Sequence, residues 1–251
     1  MENPARTIDE VIASLDAIID DSVGHNNPLG IFAYVYKLTT EAVRKAIREK
    51  TFGDNDRLER FDVFFANLYI DAFRRFSSGQ PYSLAWKIAF ENGGEKLTVI
   101  QHIILGMNAH INYDLGIAAG ELFPGRQITG FRDDFMRVND IIASLTNEMQ
   151  RKMGRVSPLM FLLDWMGMKN DEVIIRFSIV KAREQAWNFA QALATAGEDE
   201  KRTRKAATDQ LVMDLGQIIR NPGGKISAFV LRTIARFEEK NLARIIEKLE
   251  R

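Results

Sequence analysis

LTVIQHIILGMNAHINYDLGIAAGELF, residues 97–123, is aliphatic on nearly every side of a helix, yet it carries His102, Asn108, His110, Asn112, Asp114 and Glu121. A helix that is apolar all round belongs in the middle of a domain, and polar groups placed there must be paired or cost a few kcal/mol each. The stretch therefore predicts an all-α protein organised around a buried central helix with a polar seam. At about 100° per residue, His102, Gly106, His110, Tyr113, Asp114, Ile117 and Glu121 fall within roughly one third of the circumference, and Asn108 and Asn112 lie on another side.

Helical periodicity continues outward in both directions. Thr7 with Glu10 makes a capping box for a helix to about Asp20. Asn27 caps and Pro28 opens a second helix to about Thr51. A third spans 57–76, a short fourth 82–92, and Gly93-Gly94 introduces the central helix. A sixth follows at about 131–153, a short apolar one from Ser157-Pro158 to near Gly167, and a long one over 170–196. The ninth ends at Asn221-Pro222-Gly223-Gly224, and the tenth runs unbroken over 225–251 with Ile226, Phe229, Val230, Ile234, Phe237, Leu242 and Ile245 as its apolar stripe. No run alternates convincingly with a period of two, and the connections are short. The expectation is a single compact domain over 1–251, made of about ten helices.

Lys plus Arg and Asp plus Glu each total 34. That balance offers no basic excess for nucleic acid or an anionic membrane. The absence of cysteine removes disulfides and thiol catalysis, so a zinc site would depend on His and carboxylate. MENPARTIDEV lacks the basic start and apolar run of a signal peptide, and no stretch reaches the roughly eighteen apolar residues of a membrane span. These features point to the cytoplasm.

His110 and Asp114 are four apart, so their side chains meet on one face, and an imidazole with a carboxylate at that spacing is half of a metal site. His102 or Glu121 would complete the shell or act as acid–base, and Gly106 would leave room for a ligand or for another helix. The rival reading is a hydrogen-bonded core in which His110 and Asp114 satisfy each other. Arg176 and Arg183 share a stripe of the long helix and would pair Asp114 or Asp71, or bind the acidic group of a substrate. Tyr113, Asn108 and Asn112 are further candidate binding residues, the asparagines also serving to tie neighbouring helices. Asp71 is explained by Arg74 and Arg75, Asp62 projects between Tyr69 and Phe73, and Asp134 borders an apolar face as a possible ligand from a second helix. His25, in a loop, is the only other imidazole.

The run LGMNAHINYDL, with FFANLYIDAF at 64–73 and DDFMRVN at 133–139, resembles an uncharacterised bacterial family, the domain of unknown function 5995. The resemblance covers most of the chain and implies an all-α architecture. Separately, Leu105, Gly106, His110 and Asp114 form L-G-x-x-x-H-x-x-x-D, which is similar to a metal-binding helix of the zinc-dependent phospholipase C and P1 nuclease superfamily. That superfamily uses more histidines than the three present here and a liganding N-terminal Trp. The similarity thus implies at most a mononuclear or dinuclear site completed by carboxylates.

The leading functional expectation is a metal-dependent hydrolase or lyase for a small or lipid-like molecule. Its ion would be zinc, iron or manganese on His110 and Asp114. The alternatives are a non-catalytic module holding a small apolar ligand, and a structural protein that forms a homo-oligomer through the tenth helix.

Overall fold

A computed structural model describes residues 3–91, 96–159 and 179–251. Among them there are eleven α-helices and no strand: α1 (Ile8–Gly24), α2 (Gly30–Arg48), α3 (Asn55–Ser77), α4 (Leu84–Phe90), α5 (Val99–Ala109), α6 (Leu115–Leu122), α7 (Arg132–Val156), α8 (Ile179–Thr195), α9 (Glu198–Arg220), α10 (Lys225–Phe237) and α11 (Leu242–Glu250). A π-helix, His110–Asp114, joins α5 to α6, and a 3-10 turn, Gly125–Phe131, leads into α7. The protein is all-α, and no helix among the described residues is long and apolar enough to cross a membrane.

The central rod runs from α5 through the π-helix to α6, as the apolar pattern of 97–123 requires. Its start is held by several groups at once. Thr98 and Gln101 form a capping box, and the Gln101 amide donates to the Ile219 and Arg220 carbonyls at the end of α9. Helices α2 and α3 pack along the rod on one side, α4 and α9 on another, and α8 lies against α6. The α6–α8 approach is close because Gly120 has no side chain: a Cβ there would stand 2.7 Å from Leu193 and 2.8 Å from the Ala190 carbonyl.

Gly106 performs the same service for a ring. The room foreseen there for a ligand is filled by Phe32 of α2, whose Cγ would lie 2.2 Å from an added Cβ. Phe32 cannot retreat easily, because it packs on Tyr36, Tyr69 and Trp86. Gly106→Ala is therefore expected to cost about 1–3 kcal/mol through overpacking. Gly24→Ala, where nothing lies within 4 Å, is the control. Urea midpoints measure the difference, and equal midpoints would contradict the wedge.

Two expectations need correction. The tenth helix is not continuous: it breaks after Phe237 and resumes at Leu242. The cause is Glu238, which turns inward and accepts the Val99 N–H at 2.9 Å, so a carboxylate sits on the N-terminus of α5, while Asn241 caps α11. The stripe is also displaced, since Phe229 and Phe237 are 69% and 61% exposed and the buried set is Val230, Leu231, Ile234 and Ala235. The short apolar helix after Pro158, the first part of the 170–196 helix, Gly93, Gly94 and Arg176 fall outside the described residues.

Candidate functional site

Seen from the rod, the polar seam resolves into three sets. The asparagines tie elements together: Asn108 donates to the Val212 carbonyl of α9 at 2.8 Å, and Asn112 donates to the Asn108 side chain at 2.9 Å. Glu121 leaves the seam altogether. It is exposed and ion-pairs with Lys205 of α9. The π-helix explains why: the Leu115 N–H bonds back to the His110 carbonyl, one residue further than in an α-helix. That insertion rotates everything beyond it by about 100° relative to α5, so residue 121 no longer shares the face of His110.

The third set is His110 and its neighbours, and it is buried. His110 and Asp114 are each 3% exposed. His110 Nδ1 lies 3.1 Å from Asp114 Oδ2, which also accepts the Trp86 indole N–H at 2.9 Å. The imidazole is stacked on Phe65 at 3.7 Å between ring centres and meets Tyr36 edge-on at 4.3 Å. Phe32, Tyr69 and Trp86 complete the cage, each at 6.0 Å. His110 Nε2, the Tyr36 and Tyr69 hydroxyls and Asp62 Oδ2 are buried without a hydrogen-bond partner among the described residues. Buried polar groups are normally satisfied, so three orphans in one cage, His110 Nε2 and the two tyrosine hydroxyls, form an unusual concentration.

Burial sets the electrostatics. It drives His110 well below the ordinary imidazole range and Asp114 well above the carboxylate range, the latter eased by the Trp86 N–H and reinforced by Asp209. Both shifts favour a net-neutral pair, in which an Asp114 proton on Oδ2 would be donated to Nδ1 and Nε2 would carry the ring N–H. Tyr36 is raised by burial and by the fields of Asp62 and Asp114. Asp62, 8% exposed on α3, is pushed up to about 7 by burial, further by Glu59, with Arg183 opposing.

Arg183 does not pair Asp114 or Asp71. Its guanidinium donates to the Asn139 side chain and the Phe135 carbonyl and lies 4.5 Å from the Phe135 ring centre, while Asp71 bonds Arg75 at 2.6 Å. Asp134 is a loop anchor, accepting from the Gly53 and Asp54 N–H groups and from Arg57. Tyr113 is half-buried beside the pair, and His25 is exposed in its loop.

His102 stands two turns before His110. Its Nδ1 has no hydrogen-bond partner among the described residues, and burial, with Arg220 and Lys240, pushes the ring down to about 4. It borders a cavity of about 10 Å³ shared with Pro28, Leu29, Phe32, Trp86, Ala89, Phe90 and Gly106. Phe32 and Trp86 therefore belong both to this cavity and to the His110 cage. An open groove of about 500 Å³, between the N-terminal segment, α1 and Arg74, contains none of these groups.

A metal at His110 would take Nε2, with Asp114 behind the ring as its orienting group and not as a ligand. Among the described residues no three His, Asp or Glu side chains gather around one ion position. The groups that sequence reasoning missed are Trp86, Tyr36 and Phe65. Only Trp86 carried a signal, because an indole N–H in a buried helix needs an acceptor.

No curated protein and no solved structure matches the chain. The profile of one family matches residues 8–222, from the start of α1 to just beyond α9, and so spans the whole of the His110 cage. The chain belongs to the Family of unknown function (DUF5995).

Proposed function

We propose that the protein is a small-molecule enzyme, of the hydrolase or lyase type, whose working atom is His110 Nε2. One observation carries this reading: Nδ1 is held by Asp114, Asp114 is fixed by Trp86, and the opposite ring nitrogen is left unpartnered inside an aromatic cage. A carboxyl group on Nδ1 fixes tautomer and orientation, which is what an acid–base imidazole requires. The π-helix supports the reading, since such insertions occur often at functional sites.

A second reading, favoured by the same Asp114–Nδ1 contact, places zinc, iron or manganese on Nε2. Untagged wild-type protein and His110→Gln should be compared for metal content and for depletion of compounds from a small-molecule extract by mass spectrometry. Turnover by wild type alone, without stoichiometric metal, is the expected result. Stoichiometric metal lost in the variant would favour the second reading, and identical depletion by both proteins would sink the enzyme reading.

A further inference from the structure

We propose that the outer face of α10 docks on an anionic lipid membrane, with Phe229 and Phe237 entering the headgroup region and Arg232 and Arg236 meeting the lipid phosphates. The inference stands apart from the reading of His110. Charges that balance over the whole chain segregate here, because α10, KISAFVLRTIARF, holds three basic residues and no acidic one. At about 100° per residue, Phe229, Arg232, Thr233, Arg236 and Phe237 share less than half of the circumference, opposite the buried Val230, Leu231, Ile234 and Ala235. The two rings are the most exposed of the large apolar side chains described, and they stand about 12 Å apart along the axis. Thr233, between them, satisfies its hydroxyl on the Phe229 carbonyl at 2.9 Å. Arg232 and Arg236 are exposed, and neither makes an ion pair or hydrogen bond among the described residues. The nearest carboxylates in the chain are engaged elsewhere: Glu238 is buried on the Val99 N–H, and Glu239 bonds Lys248. The Glu239 N–H meets the Val156 carbonyl at 3.4 Å, which brings the exposed Arg155 at the end of α7 to the foot of the helix.

The occupant of such a face must supply apolar surface and negative charge together. A second copy of the chain does not, since a two-fold contact repeats one patch and would set arginines against arginines. An amphipathic peptide is received by a groove, whereas these rings stand out from the convex side of a helix. A nucleic acid would engage the arginines, but a chain of zero net charge lacks the field that draws a polyanion. An anionic bilayer meets both demands: it is fluid enough to take protruding rings, and it offers phosphates at the depth where the rings enter. Two rings with two or three guanidinium groups give weak, reversible attachment that salt loosens.

Sedimentation of the full chain with sucrose-loaded vesicles tests this. Binding is expected to vesicles of about 70% phosphatidylcholine and 30% phosphatidylserine at low salt, and should fall by about tenfold on phosphatidylcholine alone or in about 0.5 M salt. Phe229→Ser with Phe237→Ser, and separately Arg232→Gln with Arg236→Gln, should each lower the partition by about tenfold. All four side chains are exposed, so circular dichroism and urea midpoints should match the wild type. Wild-type protein that stays in the supernatant, or binding that survives in both double variants, would overturn the proposal. So would a dimer in light scattering that the phenylalanine variant dissolves, or a single-stranded oligonucleotide that the arginine variant releases while vesicles remain unbound.

Discussion

Asp114→Ala is expected to destabilise the protein by about 3–5 kcal/mol, because it strips two buried groups of their one partner at once. The Trp86 indole N–H and His110 Nδ1 both meet Asp114 Oδ2, at 2.9 and 3.1 Å, and neither has another partner in the cage. Truncation also leaves a void beneath a close-packed aromatic cluster. Asp114→Asn separates stability from chemistry. Its amide oxygen, in the place of Oδ2, can accept from both Trp86 and an Nδ1–H, so the fold should lose only about 1 kcal/mol while Nε2 is locked as an acceptor. Urea unfolding of the two variants measures the difference, and near-equal losses would mean that the Trp86–Asp114–His110 chain is not what holds the cage.

The stability difference between Asp62→Asn and the wild type should depend strongly on pH. The native carboxyl is raised to about 7 from an unfolded value of 3.8. Between those values the native state keeps a proton that the unfolded chain has released, so wild-type stability from this group falls as pH rises and stops falling above the native value. A difference of about three units corresponds to roughly 4 kcal/mol. Asparagine does not titrate, so the variant should gain on the wild type by that order between acid and mildly alkaline solution. Urea midpoints at a series of pH values read the gain directly, and a flat difference would place the native carboxyl near its ordinary range.

Much of this was legible from residues 97–123, because a helix apolar on all sides has only one place to go. The Asn108 and Asn112 ties and the His110–Asp114 contact also follow from spacing, since they depend on local i, i+4 neighbours or on a buried amide needing any carbonyl. Glu121 was misplaced for a physical reason: face arithmetic assumes a uniform helix, and one inserted residue at the π-helix rotates the remainder. The break at Glu238 was hidden because its cause is a long-range bond to Val99, while EEKN within an amphipathic pattern reads locally as a continuing helix. Arg183 was assigned a carboxylate partner by rule. The structure instead gives it an amide, a carbonyl and a ring face, with Asp62 acting on it as a buried charge. Trp86, Tyr36 and Phe65 could not be gathered from separate helices without the packing itself.

The central claim is that burial holds His110 neutral, with Nδ1 on Asp114 and its far nitrogen free of hydrogen bonds to the described residues. The nitrogen resonances of the His110 ring, followed between about pH 5 and 8, test it most directly. The account predicts a neutral imidazole throughout, with Nδ1 hydrogen-bonded and no imidazolium signal. An imidazolium forming with a midpoint near the ordinary value of about 6.5 would contradict it.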